Sequence, residues 1–365
     1  MANAPTRLLI AASGTGGHLF PAIALAEKLP DYQIEWLGVP NRLETQLVPK
    51  QYPLNTIAVE GFQQGFGLSS VRTLGKLALS ILEVRRILKQ GNFQGVFTTG
   101  GYIAGPAVIA ARSLGLPVVF HESNAIPGKV TRFFGPWCSA VALGFEVAAK
   151  YLPRAKNVCV GTPVRASFRG ASLTQFLDGA IDAPLDLAIP EGVPLIVVFG
   201  GSQGAVAVNK LVRESANAWF NAGVYVVHLT GDRDPEADSL KHPQYIALPF
   251  YNNMAALLQR ATLAISRSGA GSLTELAVCG TPAILIPYPF AAEDHQSYNA
   301  DVFTSSGAAL TLKQSELTAQ VLQSNVLNLL QSPQELAKMG EKAKAIAVPD
   351  SAEKLAQLVR EVIET

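Results

Sequence analysis

His18 closes the run Ser13-Gly14-Thr15-Gly16-Gly17-His18, and an imidazole placed there can take a proton near pH 7. The apolar stretch Leu8 to Ala12 precedes the glycines, and Ile23, Ala24, Leu25 and Leu29 follow with Pro21 near the first helical turn. The whole reads as a buried strand, a glycine turn and a helix. Free N–H groups at such a helix start attract anions, phosphates above all, and disfavour an imidazolium, which keeps His18 neutral. His121 and Glu122 head a second run, His121-Glu122-Ser123-Asn124, at the end of a strand on a neighbouring turn, so they are rivals for the same proton. A glycine turn by itself fits a dinucleotide-binding oxidoreductase about as well as a transferase. Against the oxidoreductase, His18, Leu19 and Phe20 break the G-x-G-x-x-G spacing, and Glu35 falls inside its strand instead of at the end.

The elements that must position these groups recur twice. Gln33 to Gly38, Thr56 to Val59, Gly95 to Thr98, Leu116 to His121, Val141 to Leu143 and Val158 to Val160 read as strands, with Thr99-Gly100-Gly101-Tyr102 as a further glycine turn. Pro194 to Phe199 then begins the pattern again, followed by Gly200-Gly201-Ser202-Gln203-Gly204 and a helix from Ala205. Strands follow at 224–230, 245–248, 263–266 and 281–287, and two helices around Val348-Pro349 end the chain. Two similar domains of parallel sheet, facing each other, are expected. Their lengths suit 365 residues with 48% hydrophobic content.

Lys+Arg 29 against Asp+Glu 28 gives no global electrostatic case for nucleic acid. Cys138, Cys159 and Cys279 lack CxxC spacing, which argues against a disulfide framework and a structural zinc site and suits a reducing cytosol. The apolar start is too short for a secretory signal, and prolines interrupt the uncharged run Leu276 to Ala292, so no membrane-spanning helix is expected. The helix from Ser69 to about Gln90 carries Arg72, Lys76, Arg85, Arg86 and Lys89 against a single Glu83, with surplus leucine and isoleucine. It reads either as a solvated face or as a surface for anionic lipid.

Taken together, GTGGH (14–18), HESN (121–124), GTPVR (161–165), GGSQG (200–204), SRSGAGSLTELA (266–277) and PYPFAAEDHQSYNA (287–300) resemble the MurG family over nearly the whole chain. That resemblance implies an α/β GT-B glycosyltransferase, with two Rossmann-like doubly wound domains across a cleft. The implied activity is inverting, metal-independent transfer of GlcNAc from UDP-GlcNAc to the C4 hydroxyl of MurNAc in undecaprenyl-pyrophosphoryl-MurNAc-pentapeptide, without a cofactor. It also implies a peripheral position on the cytoplasmic face of the bacterial plasma membrane, and cell-wall assembly partners. Residues 1–163 would form the acceptor- and membrane-facing domain and 164–345 the donor domain, with 346–365 a helix packing back on the first.

Its chemistry and its place on the first turn make His18 the expected general base, the alternative being a histidine that only holds the loop, and Thr15, Gly16, Gly17 and Asn124 are expected to face the substrate from the first domain. By the same resemblance Ser202 and Arg165 hold the diphosphate, while Phe250 and Tyr251 lie by the uracil, the latter through its backbone. Arg267 and Glu275 form the donor-binding pair and Gln296 contacts the sugar. Glu275 has a second reading, as the closing member of a capping box Ser272-Leu273-Thr274-Glu275. Asp232-Arg233-Asp234 mimics a metal-binding DxD but falls outside every matching motif and reads as a solvated turn. Ser123 stands where the family commonly has Gln and Thr131 where it often has Asn, both in the expected acceptor wall. Residues 166–192 look longer than usual and read as a variable surface loop.

Overall fold

A computed structural model describes residues 5–59, 68–168, 185–201 and 205–365, with the backbone alone over 68–74. Ser202, the centre of the variable loop at 169–184, and residues 60–67 lie outside the described residues.

Two parallel sheets carry the chain. The first runs β3-β2-β1-β4-β5-β6-β7, from β1 (Arg7–Ala11), β2 (Gln33–Gly38), β3 (Leu54–Thr56), β4 (Gly95–Thr98), β5 (Val118–Glu122), β6 (Ala140–Leu143) and β7 (Asn157–Cys159). Ile10 sits opposite Trp36 on one side and Phe97 on the other. The second runs β10-β9-β8-β11-β12-β13, from β8 (Leu195–Phe199), β9 (Tyr225–Leu229), β10 (Tyr245–Leu248), β11 (Leu263–Ser266), β12 (Ala283–Leu285) and β13 (Ala309–Thr311). In each sheet the chain first builds outward on one side and then crosses to the other. This leaves a switch point between β1 and β4 and another between β8 and β11, where doubly wound sheets bind ligands.

Both faces of the first sheet are covered, which is why β1 is apolar without alternation. Leu9, Ala11, Val96 and Phe120 pack against α3 (Leu68–Gln90) and α4 (Ala104–Ser113). Leu8, Ile10, Phe97 and Val119 pack against α1 (Gly16–Ala26) and the last helix, Ser351–Ile363. Helix α1 begins inside the glycine turn, so Pro21 falls within the helix and not at its opening. β3 lies earlier than the expected strand over Thr56 to Val59. The helices His295–Ser306 and Ala319–Leu330, with β13, complete the second sheet's surroundings; the first carries no sharp periodic signal, whereas the second buries Leu322, Val326 and Leu329 along one face.

The chain divides into two compact units, one comprising Met1–Arg165 with Pro349–Thr365 and the other Ala166–Val348. Arg165 is thereby the last residue of the first unit's leading segment. Leu355, Ala356, Leu358 and Val359 of the last helix are buried in the first unit's core. Arg360 forks onto Asp31 with two 2.5 Å bonds, and the Tyr32 hydroxyl donates to Glu364.

Candidate active site

At the switch point of the first sheet, the turns after β1 and β4 meet through one hydrogen bond. His18 Nδ1 lies 2.7 Å from the Thr99 carbonyl oxygen. A carbonyl can only accept, so Nδ1 carries the proton, and in the neutral ring Nε2 is left with its lone pair exposed for a substrate proton. His18 is the third residue of α1, whose N-cap is Thr15. The Thr15 hydroxyl makes no capping bond, and Gly16 and Gly17 head the helix with N–H groups turned toward the glycine turn. Glycine is favoured on the facing turn as well: Gly100 and Gly101 have φ of 99° and 74°, a conformation that side-chain-bearing residues rarely adopt. Below, the Thr98 hydroxyl donates to the Ala11 carbonyl and Trp36 Nε1 to that of Ala12, which fixes the end of β1. The Arg165 guanidinium stacks 5.0 Å from the Phe20 ring of α1, and the same ring would meet a Cβ on Gly16 at 2.7 Å.

The rival bases are occupied. His121 is fully buried, its Nε2 donates to the Gly161 carbonyl at 3.0 Å, and burial pushes its pKa down. Glu122 is almost as buried and accepts four hydrogen bonds: from the backbone N–H and side-chain amide of Asn124, from the Gly128 N–H, and from the Thr131 hydroxyl at 2.5 Å. Its carboxylate ties together the loop from Asn124 to α5 (Lys129–Phe134). Thr131 is therefore turned inward to Glu122, and the Ser123 hydroxyl lies 3.4 Å from His121 Nδ1. Both departures from the family pattern are absorbed by these internal contacts.

On the second sheet, Arg267 follows β11 and is buried. Its Nη1 donates to the carbonyls of Ile286 and Pro287, its Nη2 donates to Gln314, and it lies over the Tyr288 ring. Burial brings its pKa down to about 10. Gln296 accepts from the Tyr288 N–H at 2.9 Å, which leaves its amide nitrogen to donate. The structure thus brings Arg267, Tyr288 and Gln296 together through one strand end. Glu275 lies half-buried in the helix Ala270–Cys279, whose N-cap is Gly269. Ser272 is therefore inside the helix, and the capping-box reading of Glu275 fails. Tyr251 is buried, its hydroxyl donating to Asp186 at 2.6 Å, while Phe250 is exposed.

The reading of Asp232-Arg233-Asp234 as a solvated turn is corrected at Asp234. Its carboxylate is buried and bonded to Arg213 at 2.7 Å and to Asn209 at 2.7 Å. Asn209 in turn receives His228 Nε2, and Tyr245 pairs with His228 Nδ1. A periodic pattern cannot show this because the partners come from the helix Val206–Asn221, β9 and β10. Two groups escaped the sequence reading for the same reason. Glu44 is buried against the first glycine turn, and Phe133, Phe134 and Trp137 form an aromatic cluster beyond β5.

Helix α3 shows Leu79 and Leu82 exposed at 68% and 61% beside exposed Arg86 and Lys89. Arg85, counted above as a basic surface residue, is turned to the Ser113 carbonyl and hydroxyl instead. Arg72's side chain lies outside the described residues. Among the described residues, no helix is long and apolar enough to cross a membrane.

The family model described as the glycosyltransferase family 28 N-terminal domain matches residues 8–143, and its C-terminal counterpart matches 195–355. The chain is 93% identical over 365 residues, covering all of both chains, to the UDP-N-acetylglucosamine--N-acetylmuramyl-(pentapeptide) pyrophosphoryl-undecaprenol N-acetylglucosamine transferase of Nostoc punctiforme. It resembles the crystal structure of Acinetobacter baumannii MurG at 29% identity and a TM-score of 0.76, covering 98% of this chain and 100% of that one. A glycosyltransferase of kitacinnamycin shares the fold at 15% identity and a TM-score of 0.73, covering 98% and 99%. With both halves matched in order and a full-length relative at that identity, the chain belongs to the MurG family of N-acetylglucosamine transferases within glycosyltransferase family 28.

Proposed function

We propose that this protein transfers GlcNAc from UDP-GlcNAc to the C4 hydroxyl of MurNAc in undecaprenyl-pyrophosphoryl-MurNAc-pentapeptide (lipid I), giving lipid II with inversion at the sugar's C1. The observation that carries the chemistry is the His18 to Thr99 bond, which leaves Nε2 as the acceptor. As the C1–O bond to UDP breaks, Nε2 takes the proton of the attacking hydroxyl, and the imidazolium so formed keeps its Nδ1–H on Thr99. The rival carboxylate of Glu122 is already saturated with donors and serves the loop that presents Asn124. Thr15, Gly16, Gly17 and Arg165 supply positive potential for a diphosphate on the first unit. Ser202, in the second glycine-rich run of the sequence, is assigned to the same diphosphate through its hydroxyl. Tyr251 lies by the uracil through its backbone, Glu275 accepts from the ribose hydroxyls, and the Gln296 amide donates to the sugar while Arg267 holds its strand end. Helix N-termini and Arg165 stabilise the departing UDP electrostatically.

The lipid acceptor places the enzyme against a membrane, and we assign that contact to the cytoplasmic face and to the α3–α5 layer. Leu79, Leu82, Phe133 at 64% exposure and Trp137 at 48% supply apolar surface there, with Arg86 and Lys89 for anionic headgroups. Incubation with radiolabelled UDP-GlcNAc and a lipid I analogue, with and without chelator, tests donor, acceptor and metal independence together. Labelled lipid II in both arms is expected. Transfer to diacylglycerol and not to the lipid I analogue would overturn the acceptor.

A further inference from the structure

Glu44 opens the short helix α2 (Glu44–Leu47) yet is 0% exposed, and among the described residues no cation pairs with it. A buried carboxylate costs several kcal/mol unless hydrogen bonds replace its water. Three do so, and each comes from the segment just after a strand, β1 or β2. The Ser13 hydroxyl and the Gly14 N–H, the latter at 3.2 Å, come from the turn that carries His18, and the Val39 N–H at 2.7 Å comes from the end of β2. Space for it is made by Gly38, where a Cβ would lie 2.7 Å from Glu44 Cγ. Gly14 itself is at φ 106°, a conformation that needs an outside hold because it contributes no side-chain packing of its own. The neighbours of Glu44, namely Asn41, Arg42, Leu43, Thr45 and Gln46, line an open surface depression together with Gly14.

We propose that Glu44 is a positioning residue for the transfer reaction: its carboxylate clamps Ser13 and Gly14 to the end of β2 and so sets the start of α1, with Thr15, Gly16, Gly17 and His18, in reacting geometry. This rests on the proposed transfer reaction being carried out at the turn from Ser13 to His18. Charge-assisted bonds to a carboxylate are roughly twice as strong as neutral ones, so an amide in its place loosens the turn without emptying the space. Misplacement of a reacting group by about 1 Å costs on the order of 100-fold in rate.

The test compares Glu44→Gln, Ser13→Ala and His18→Ala in the full chain, with Tyr32→Phe as a control that removes a bond at the far end of the same sheet, to Glu364. Steady-state kcat, KM for UDP-GlcNAc and thermal midpoints are measured for each. Glu44→Gln is expected to lower kcat by about 10- to 100-fold with KM for UDP-GlcNAc within about twofold. Ser13→Ala is expected to lower kcat less, because the bonds from Gly14 and Val39 remain. Tyr32→Phe is expected to lower the midpoint and leave kcat unchanged. A kcat for Glu44→Gln within about twofold of the parent overturns the clamp, as does a Tyr32→Phe variant whose kcat falls in proportion to its midpoint. If Glu44→Gln fails to fold, an unchanged kcat in Ser13→Ala overturns it alone. Loss of rate in Glu44→Gln beside an unaffected His18→Ala would remove the base assignment and leave the clamp standing.

Discussion

A single carbonyl decides what His18 can do. With Thr99 taking the Nδ1 proton, the ring presents a lone pair and not a proton at Nε2. General-base loss costs roughly 10²- to 10⁴-fold, so His18→Ala is expected to lower kcat over that range with KM for UDP-GlcNAc nearly unchanged. A kcat within about threefold, far smaller than that loss, would return the residue to loop support. Glu122→Gln separates the two roles differently. Its amide would face donors from Asn124, Gly128 and Thr131, so a buried mismatch of about 1 to 3 kcal/mol is expected as a lowered denaturant midpoint. An unchanged midpoint would show that the four bonds do not hold that loop.

Among the elements, α3 carries a test of membrane contact sharpened by the bonds of Arg85 to Ser113. Each basic residue near an anionic leaflet contributes about 1 kcal/mol, and each exposed leucine adds apolar surface. Changing Leu79, Leu82, Arg86 and Lys89 together to Gln should release the protein from anionic vesicles at low salt, whereas Arg85→Gln should leave partition near the parent's, since its guanidinium is spent on Ser113. Equal partition of both variants would make α3 an ordinary solvated face. The second unit holds a pH-sensitive element where β9 and β10 meet the helix Val206–Asn221. Burial, with the Arg213 charge nearby, pushes His228 down to about 3. The folded form therefore holds it neutral while the unfolded chain takes up a proton below about 6.5. Stability is unaffected above that pH and falls from there down to about 3, by about 2 kcal/mol at pH 5. The Asp234 carboxyl, held low by Arg213 and Asn209 against its burial, adds a loss of the same sign at lower pH. Urea midpoints from pH 7.5 to 5 should follow this slope. A flat profile would show that His228 is solvated.

For the whole molecule, the first unit is built from two distant stretches of chain. Removing Ser351 to Thr365 takes away Leu355, Leu358 and Val359 and uncovers the core surface they pack on, at about 1.5 to 3 kcal/mol for each buried side chain lost. That sum is comparable with the 5 to 15 kcal/mol that holds a domain together. The truncated protein should lose protection of Leu8 to Ala12 in hydrogen exchange while the second sheet keeps its own. Full protection of β1 after truncation would show that the last helix is dispensable.

Much of this was legible along the chain because it is local. Parallel strands covered on both faces must read as Leu8 to Ala12 and Leu195 to Phe199 do, and glycines mark where backbone turns at positive φ or meets a neighbour closely, as at Gly100. The motifs around His18, Glu122, Arg267 and Gln296 could be found because each begins within a few residues of a strand end. What a sequence cannot carry is which of two adjacent titratable groups is already spent. Glu122 and His121 look as able as His18 until their partners are counted, and Asp234 looks solvated until Arg213 and Asn209 arrive from a helix about 20 residues away. Glu44 gave no signal at all, since its donors at Ser13, Gly14 and Val39 are joined to it only by the order of strands in the sheet. Local propensity and burial pattern determined the elements, and the long-range pairing of strands decided which polar groups are satisfied and which are left to react.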